Sequence, residues 1–497
     1  MTMRRNMPRA VGVLVALLAA GLTAAPAHGQ LDATQKADIG FTALQSRLGG
    51  SMPLGVGVSA TIVEGALQTG EYRVDTSDPQ LTGKTYVFPS GGNTGASWHA
   101  TTVGKYLFGT DSLAPRIGAT VDGSTIANYE LNNWLSNGFL NLQSSALLPN
   151  VETRKLVSHS WVYSFNSATD NSIIDRADYA VQRDATIATY ALNNGSGSTI
   201  PALMASTYNG IVVGLASGDH SRGTTIYSGT GRQKPDIVVP TVYTSWATPS
   251  VSSAAALLVQ VSSTNTGLAN GQQPQAAKSL LMAGATKEGP NLPATWSWSH
   301  TSTQPLDSIY GAGQLNIEKS YDILVAGEFG ASGSALTAST GWDFGTASAS
   351  TPQRYFFDIG PGEAGYDLTA SLNWQRTMTA TDTDPRPTFT SYVFSGTLAN
   401  LDLRLYSASD FTLGTLLDES ISTLDNTELI WARNLPAGRY ALEVSSGTTG
   451  IDYGLAWVTA VPEPGTWALA AVATGILLSV GFRTGDPVSS RSRRQPA

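Results

Sequence analysis

A serine placed where a developing negative charge is welcome stands out first. Ser245 lies in Thr244-Ser245-Trp246-Ala247-Thr248-Pro249, which runs on into the small and aliphatic residues Ser250 to Leu258. That composition predicts a helix buried between other elements, because small side chains let neighbouring backbone come close. Pro249 is expected in the first turn, where a missing N–H costs least. A serine at such a helix start faces unpaired backbone N–H groups and the positive end of the helix dipole, which favour charge building on a reacting oxygen. An Ala/Ser-rich helix is equally the composition of plain core, so the nucleophile reading depends on finding a base, a carboxylate and an oxyanion donor elsewhere in the chain.

Several separate motifs supply those partners by resemblance. Thr244-Ser245-Trp246-Ala247-Thr248-Pro249 resembles the G-T-S-M-A-x-P segment of subtilisin-like serine proteases, with Tyr243 where that family has glycine. Lys234-Pro235-Asp236-Ile237-Val238-Val239-Pro240, just before it, is similar to the family's K-P-D-I-x-A-P. His99-Ala100-Thr101-Thr102-Val103-Gly104 resembles H-G-T-H-V-A-G, with Thr102 in place of the second histidine. Gly57 to Glu64 lines up with G-V-x-V-A-V-I-D, so Glu64 occupies the place of the family's aspartate. Acid, then His, then Ser is the chain order of the subtilisin fold. The resemblance implies a serine endopeptidase acting on polypeptides, with Ser245 as nucleophile, His99 as general base and acid, and Glu64 holding the imidazole. Glutamate is one methylene longer than aspartate, about 1.5 Å, so the site must accommodate the extra reach. A catalytically silent binding protein on the same fold is the alternative.

Two further stretches extend the resemblance. Ala191-Leu192-Asn193-Asn194-Gly195 is similar to A-G-N-x-G, which implies that Asn193 is the oxyanion donor; read alone, Asn-Asn-Gly is also an ordinary turn. Val157-Ser158-His159-Ser160-Trp161 resembles the strand leading to the family's S-L-G ledge, which implies that Ser160, Trp161 and Val162 bind the substrate backbone as an added strand. His159 reads as a core or pocket-lining residue, and His220 and His300 fall in polar, loop-like sequence with no role assigned. No cofactor is identifiable. Calcium is implied only by the resemblance, and no compact loop of clustered oxygen ligands marks a metal site.

Composition narrows the partners. The chain has 497 residues, 29 basic against 37 acidic, a net charge of −8 and no long basic run in its middle, which argues against nucleic acid. It has no cysteine, so disulfides, thiolate chemistry and cysteine-bound zinc are excluded.

The elements that must position these residues fall into five segments. Residues 1–29 read as a signal peptide: Arg4, Arg5 and Arg9, the apolar run Ala10 to Leu22, then small residues. Residues 30–53 form a short N-terminal segment in which Ala33 to Leu48 reads as one amphipathic helix, too short for a large folding pro-domain. Residues 54–328 are expected to be an α/β domain, a subtilisin-like parallel sheet with helices on both faces, with strand-like runs at Val56–Val63, Lys155–Trp161, Gly210–Leu215 and Asp236–Val239. Residues 329–460 change to a period of two, as in Leu368, Ala370, Leu372 and Trp374, which predicts an antiparallel β-sandwich. Residues 461–497 carry Val461-Pro462-Glu463-Pro464, an apolar stretch Thr466 to Phe482, and arginines. This tail is similar to the bacterial PEP-CTERM sorting signal. It implies transient membrane association, removal by a sorting protease, and a final place at the cell surface or outside the cell; a permanent single-pass anchor is the other reading.

Overall fold

The computed structural model describes residues 30–460 apart from 69, 92–94, 198–199, 201–202, 227–228, 290, 362–364 and 387–388. The expected signal segment and sorting tail, with its apolar span, lie outside the described residues. Among the described residues no helix is long and apolar enough to cross a membrane.

Seven strands, β1 Ala60–Glu64, β2 Tyr86–Val87, β3 Ile126–Glu130, β4 Leu156–His159, β5 Ile187–Ala191, β6 Ile211–Leu215 and β7 Ile237–Val239, form one sheet in the order β2-β3-β1-β4-β5-β6-β7. All neighbours pair in parallel. Successive residues of a strand point to opposite faces, so the inner strands feed two cores. Ile62, Ile126, Leu156, Ile187 and Ile211 pack on one side, and Val63, Ala127, Val157, Ala188 and Val212 on the other. This two-sided burial is why the strands read as continuous apolar runs rather than alternating ones.

The helices are α1 Ala33–Asp38, α2 Phe41–Leu48, α3 Trp98–Phe108, α4 Leu131–Asn133, α5 Ser167–Asp184, α6 Thr244–Thr264, α7 Pro274–Gly284 and α8 Ile317–Ala326. Residues of α2, α3, α6, α7 and α8 share the first core, and α5 covers the second. The single N-terminal helix expected over Ala33 to Leu48 is two helices. Gly40 takes φ 73° and packs against Asn316, and an L side chain there would be strained and would clash with the Asn316 carboxamide. The strand expected from Val56 begins only at Ala60, because Gly55 and Gly57 also have positive φ and turn the chain first.

Beyond α8, ten antiparallel strands follow: β8 Gly341–Ala347, β9 Gln353–Ile359, β10 Tyr366–Trp374, β11 Thr377–Asp382, β12 Tyr392–Thr397, β13 Leu401–Ser409, β14 Thr412–Ser420, β15 Thr427–Leu435, β16 Gly438–Ser446 and β17 Ile451–Ala460. They make two four-stranded sheets, β15-β10-β17-β8 and β14-β13-β16-β9, and a separate hairpin β11-β12. The period-two residues Leu368, Ala370, Leu372, Trp374, Leu401, Leu403, Leu405, Tyr440, Leu442, Val444, Tyr453, Leu455 and Trp457 share one core.

The β-region is fastened to the parallel-sheet region by buried polar contacts. Ser279 on α7 donates to the Gly454 carbonyl (2.8 Å) and accepts from Asn373 Nδ2 (2.9 Å), whose Oδ1 accepts from Thr427 (2.7 Å). Asn426 Nδ2 donates to the Tyr208 carbonyl at 2.8 Å, and the Asn209 carboxamide donates to the Arg376 carbonyl and accepts from Arg376 N. A side chain at position 454 would strike the Gln275 carbonyl, so glycine is what lets β17 come this close to α7. The hairpin lies along α5, where Phe394 meets Arg176 and Tyr179.

Candidate active site

The chain fills strands on one side of β1 with β2 and β3, then returns over it to build β4 to β7 on the other. Such a reversal leaves a crevice outside the carboxyl ends of the strands. Glu64 ends β1, Ser160 directly follows β4, and Asn193 lies just past β5, so the residues singled out from sequence line that one edge.

His99 enters from α3. Ser97 caps this helix by accepting from Ala100 N (3.2 Å), which sets Trp98 and His99 in the first turn. His99 Nδ1 and Glu64 Oε2 are 2.7 Å apart, with the Glu64 side chain 1% exposed and that of His99 12%. The contact has the length of a charge-assisted bond, so the added methylene of Glu is accommodated. Burial holds the Glu64 carboxyl above its ordinary range, and the nearby His99 opposes that shift. Glu64 Oε1 is buried without a hydrogen-bond partner among the described residues. Trp246 backs the imidazole, with ring centres 5.3 Å apart, and is itself stacked on Tyr106 at 5.6 Å.

Ser245 is the second residue of α6, one position before Trp246. Its hydroxyl donates to the Ser160 carbonyl at 3.3 Å, and among the described residues neither it nor any other group hydrogen-bonds His99 Nε2. The Ser160 hydroxyl in turn donates to the Ser245 carbonyl at 3.1 Å. Pro249 explains this second bond. It lies six residues into α6 rather than in the first turn, and having no N–H it leaves the carbonyl four residues back, that of Ser245, without a helical partner. An unpaired buried carbonyl costs about 1–3 kcal/mol, and the Ser160 hydroxyl fills the gap. Two other hydroxyls buried in α6 bond back along the helix, Thr248 to the Thr244 carbonyl and Ser250 to the Trp246 carbonyl, while Thr244 donates to the Leu192 carbonyl and Ser253 accepts from Ala114 N, which is how a serine-rich helix is tolerated in a core.

Asn193 is partly exposed and uses only its backbone in hydrogen bonds, exchanging them with Ser221, so its side-chain donors are unspent among the described residues. The Ser245 N–H is likewise unspent. Its neighbour Asn194 was not singled out from sequence, yet its Oδ1 accepts from Thr244 N at 2.9 Å and so ties the loop after β5 to the start of α6. An Asn-Asn-Gly triplet gave no local sign of which asparagine caps a helix fifty residues away.

The three expected substrate-binding residues behave differently. Ser160 is buried and tied to Ser245, Val162 is 37% exposed, and the Trp161 indole is buried and donates to His159 Nδ1 at 3.2 Å. The Trp161 side chain is thus a core group, and only its backbone can meet a peptide. Residues 160–162 follow β4 with no backbone N–H bonded among the described residues.

Three other histidines fall among the described residues. His159 is enclosed by Trp134, Trp161 and Tyr190, and burial pushes its pKa down to about 3. His220, expected in polar loop surroundings, is buried: Nδ1 accepts from Leu215 N (3.0 Å) and Nε2 meets the Ile309 carbonyl (2.9 Å), with its pKa lowered to about 4. His300 packs beside Trp298, its pKa also lowered to about 4 by burial and then by Lys287. Asp236 of the Lys-Pro-Asp motif lies in a buried cluster, accepting from Lys234 (2.8 Å) and Val212 N (2.7 Å) beside Lys278. It anchors β6 to β7 rather than facing the crevice. Among the described residues no group of three or more His, Asp or Glu side chains could hold a metal ion.

No protein-family model matches the sequence, and no curated protein matches it. Among solved structures the chain is similar to the prenylagaramide maturation protease PagA, at 20% identity and TM-score 0.37, over 54% of this chain and 94% of that one. It is similar to the patellamide maturation protease PatA at 19% identity and TM-score 0.36, over 55% and 98%. Fervidolysin from Fervidobacterium pennivorans, described as a keratinolytic enzyme related to subtilisin, matches at 11% identity and TM-score 0.35, over 82% and 78%.

Proposed function

We propose that this protein is an exported subtilisin-like serine endopeptidase. The observation that carries the reading is the 2.7 Å contact between His99 Nδ1 and the buried Glu64 carboxylate, beside the helix that begins at Ser245. In this reading Ser245 Oγ leaves the Ser160 carbonyl by a side-chain rotation and turns to His99 Nε2, an adjustment common when catalytic hydrogen bonds form only with substrate in place. As the Oγ–carbon bond forms, His99 takes the hydroxyl proton and Glu64 stabilises the imidazolium. His99 then passes that proton to the departing amine, leaving an acyl-enzyme that water resolves by the reverse sequence. The Ser245 N–H and the Asn193 carboxamide stabilise the oxyanion, and the free backbone of 160–162 pairs with the polypeptide.

A second reading, a binding protein that has given up catalysis, is favoured by one observation: Ser245 Oγ bonds Ser160 and not His99. A fluorophosphonate probe on the purified mature protein separates the two. Labelling that vanishes in Ser245→Ala supports the enzyme, and absence of labelling in the wild type supports the binding protein. Export and loss of the tail by a sorting protease belong to the same proposal. Intact mass of protein from the native host tests the last, with a C-terminus near Glu463 expected and a full-length, detergent-requiring form opposing it.

A further inference from the structure

Of the tryptophans in the described residues, Trp98 alone is exposed, at 45%. It is also the residue before His99, with its ring centre 5.7 Å from the imidazole and the planes at 77°. The two indoles that touch His99 are in opposite situations. Trp246 is 5% exposed and its surface is taken up by Tyr106, Tyr243 and the imidazole itself. Trp98 is held at the first position of α3 by the Ser97 cap, and its carbonyl accepts from Thr102, so its backbone is fixed while much of its indole meets solvent. An indole left in water beside a reacting group, on a rigid helix end, is a flat apolar surface available to whatever approaches His99.

We propose that Trp98 is a specificity-determining, substrate-contacting residue that selects a large apolar side chain, aromatic above all, at a position adjoining the scissile bond. The proposal rests on the serine-peptidase reading, since it is the path of the peptide past His99 that brings a side chain to this surface. Covering an exposed indole removes apolar area from water on both partners, and a ring-on-ring contact adds to that; an alanine at the same substrate position gains neither.

The test is a set of internally quenched peptides in which each residue flanking the cleaved bond is Phe, Leu or Ala in turn. Expected for the wild type is a preference of about tenfold in kcat/KM for Phe over Ala at one flanking position. Trp98→Ala should bring that ratio to near one, and Trp98→Phe should restore most of it. Because the readout is a ratio of two substrates on one protein sample, a partly unfolded variant does not distort it. A wild type without the preference, or a preference that survives Trp98→Ala, overturns this inference alone, provided the wild type cleaves peptide and takes the fluorophosphonate label. A wild type that does neither overturns the peptidase reading and this inference with it.

Discussion

The crevice at the carboxyl ends of the parallel strands and the seam where the β-region meets α7 are both buried or half-buried and both rich in polar groups, yet they are finished to different degrees. At the seam, Ser279, Asn373 and Asn426 each have their side-chain partners within 3 Å. At the crevice, Glu64 Oε1, the Asn193 carboxamide and the Ser245 N–H are unspent among the described residues. Most polar groups that only hold a fold end up paired, because an unpaired one costs stability, although single exceptions such as Glu428 Oε1 and Ser262 Oγ occur elsewhere among the described residues. Unspent capacity gathered at one sheet edge is what a site needs for bonds made only while a reaction is under way.

The contrast can be broken or sharpened by substitution, and the largest expected effect is at the acid. Glu64→Gln should reduce kcat by ~10⁴, as loss of the acid's charge does in a triad, with the fold intact by circular dichroism. Undiminished turnover would remove Glu64 from the site. Asn193→Ala should lower kcat by ~10²–10³ with KM nearly unchanged, since its bond strengthens only in the transition state; a matching fall in thermal stability would make it a turn residue instead. At the seam the pattern should invert. Asn373→Ala or Asn426→Ala should cost about 1–3 kcal/mol in denaturant unfolding, by leaving a buried partner unpaired, while kcat of the folded protein stays within twofold. A kcat loss there as large as at Asn193 would erase the distinction between the two regions.

The smallest effect is also the most diagnostic. Burial raises the Glu64 pKa in the folded state, so between the ordinary carboxylate value and the raised one the folded protein holds more protons than the unfolded chain. Its contribution to stability is therefore present at low pH and lost as pH rises through that window. Glu64→Gln, which cannot ionise, should melt roughly 2–4 °C above the wild type on the alkaline side of that window, with the gap closing as pH falls. Calorimetry across pH reads this directly, and a gap that widens toward acid would contradict it.

Much of this architecture was legible because it is local. The continuous apolar runs marked β1, β4, β6 and β7, and period-two alternation marked the strands of the second region. β3 was not singled out, since Asn128 and Glu130 interrupt its apolar run; the Asn128 carboxamide is spent on the Val74 N–H and is invisible as a strand residue from sequence. The candidate site is legible as residue types in order, but its connections are not. Ser160 completing a carbonyl that Pro249 leaves free, and Asn194 reaching Thr244, are pairings across 85 and 50 residues that no spacing encodes. His220 looked loop-like for the same reason: its partner Ile309 lies 89 residues further on.

The close approach of Gly454 to Gln275 also sets a timetable. The helix that carries Ser279 is synthesised well before the strand that covers it, and nearly all of that helix is buried in the finished protein. A chain emerging from its N-terminus therefore carries an open flank of α7 on its parallel-sheet half until β17 arrives, a stretch that passes through the whole second region. The second region is thus what covers the outer face of α7 in the finished protein.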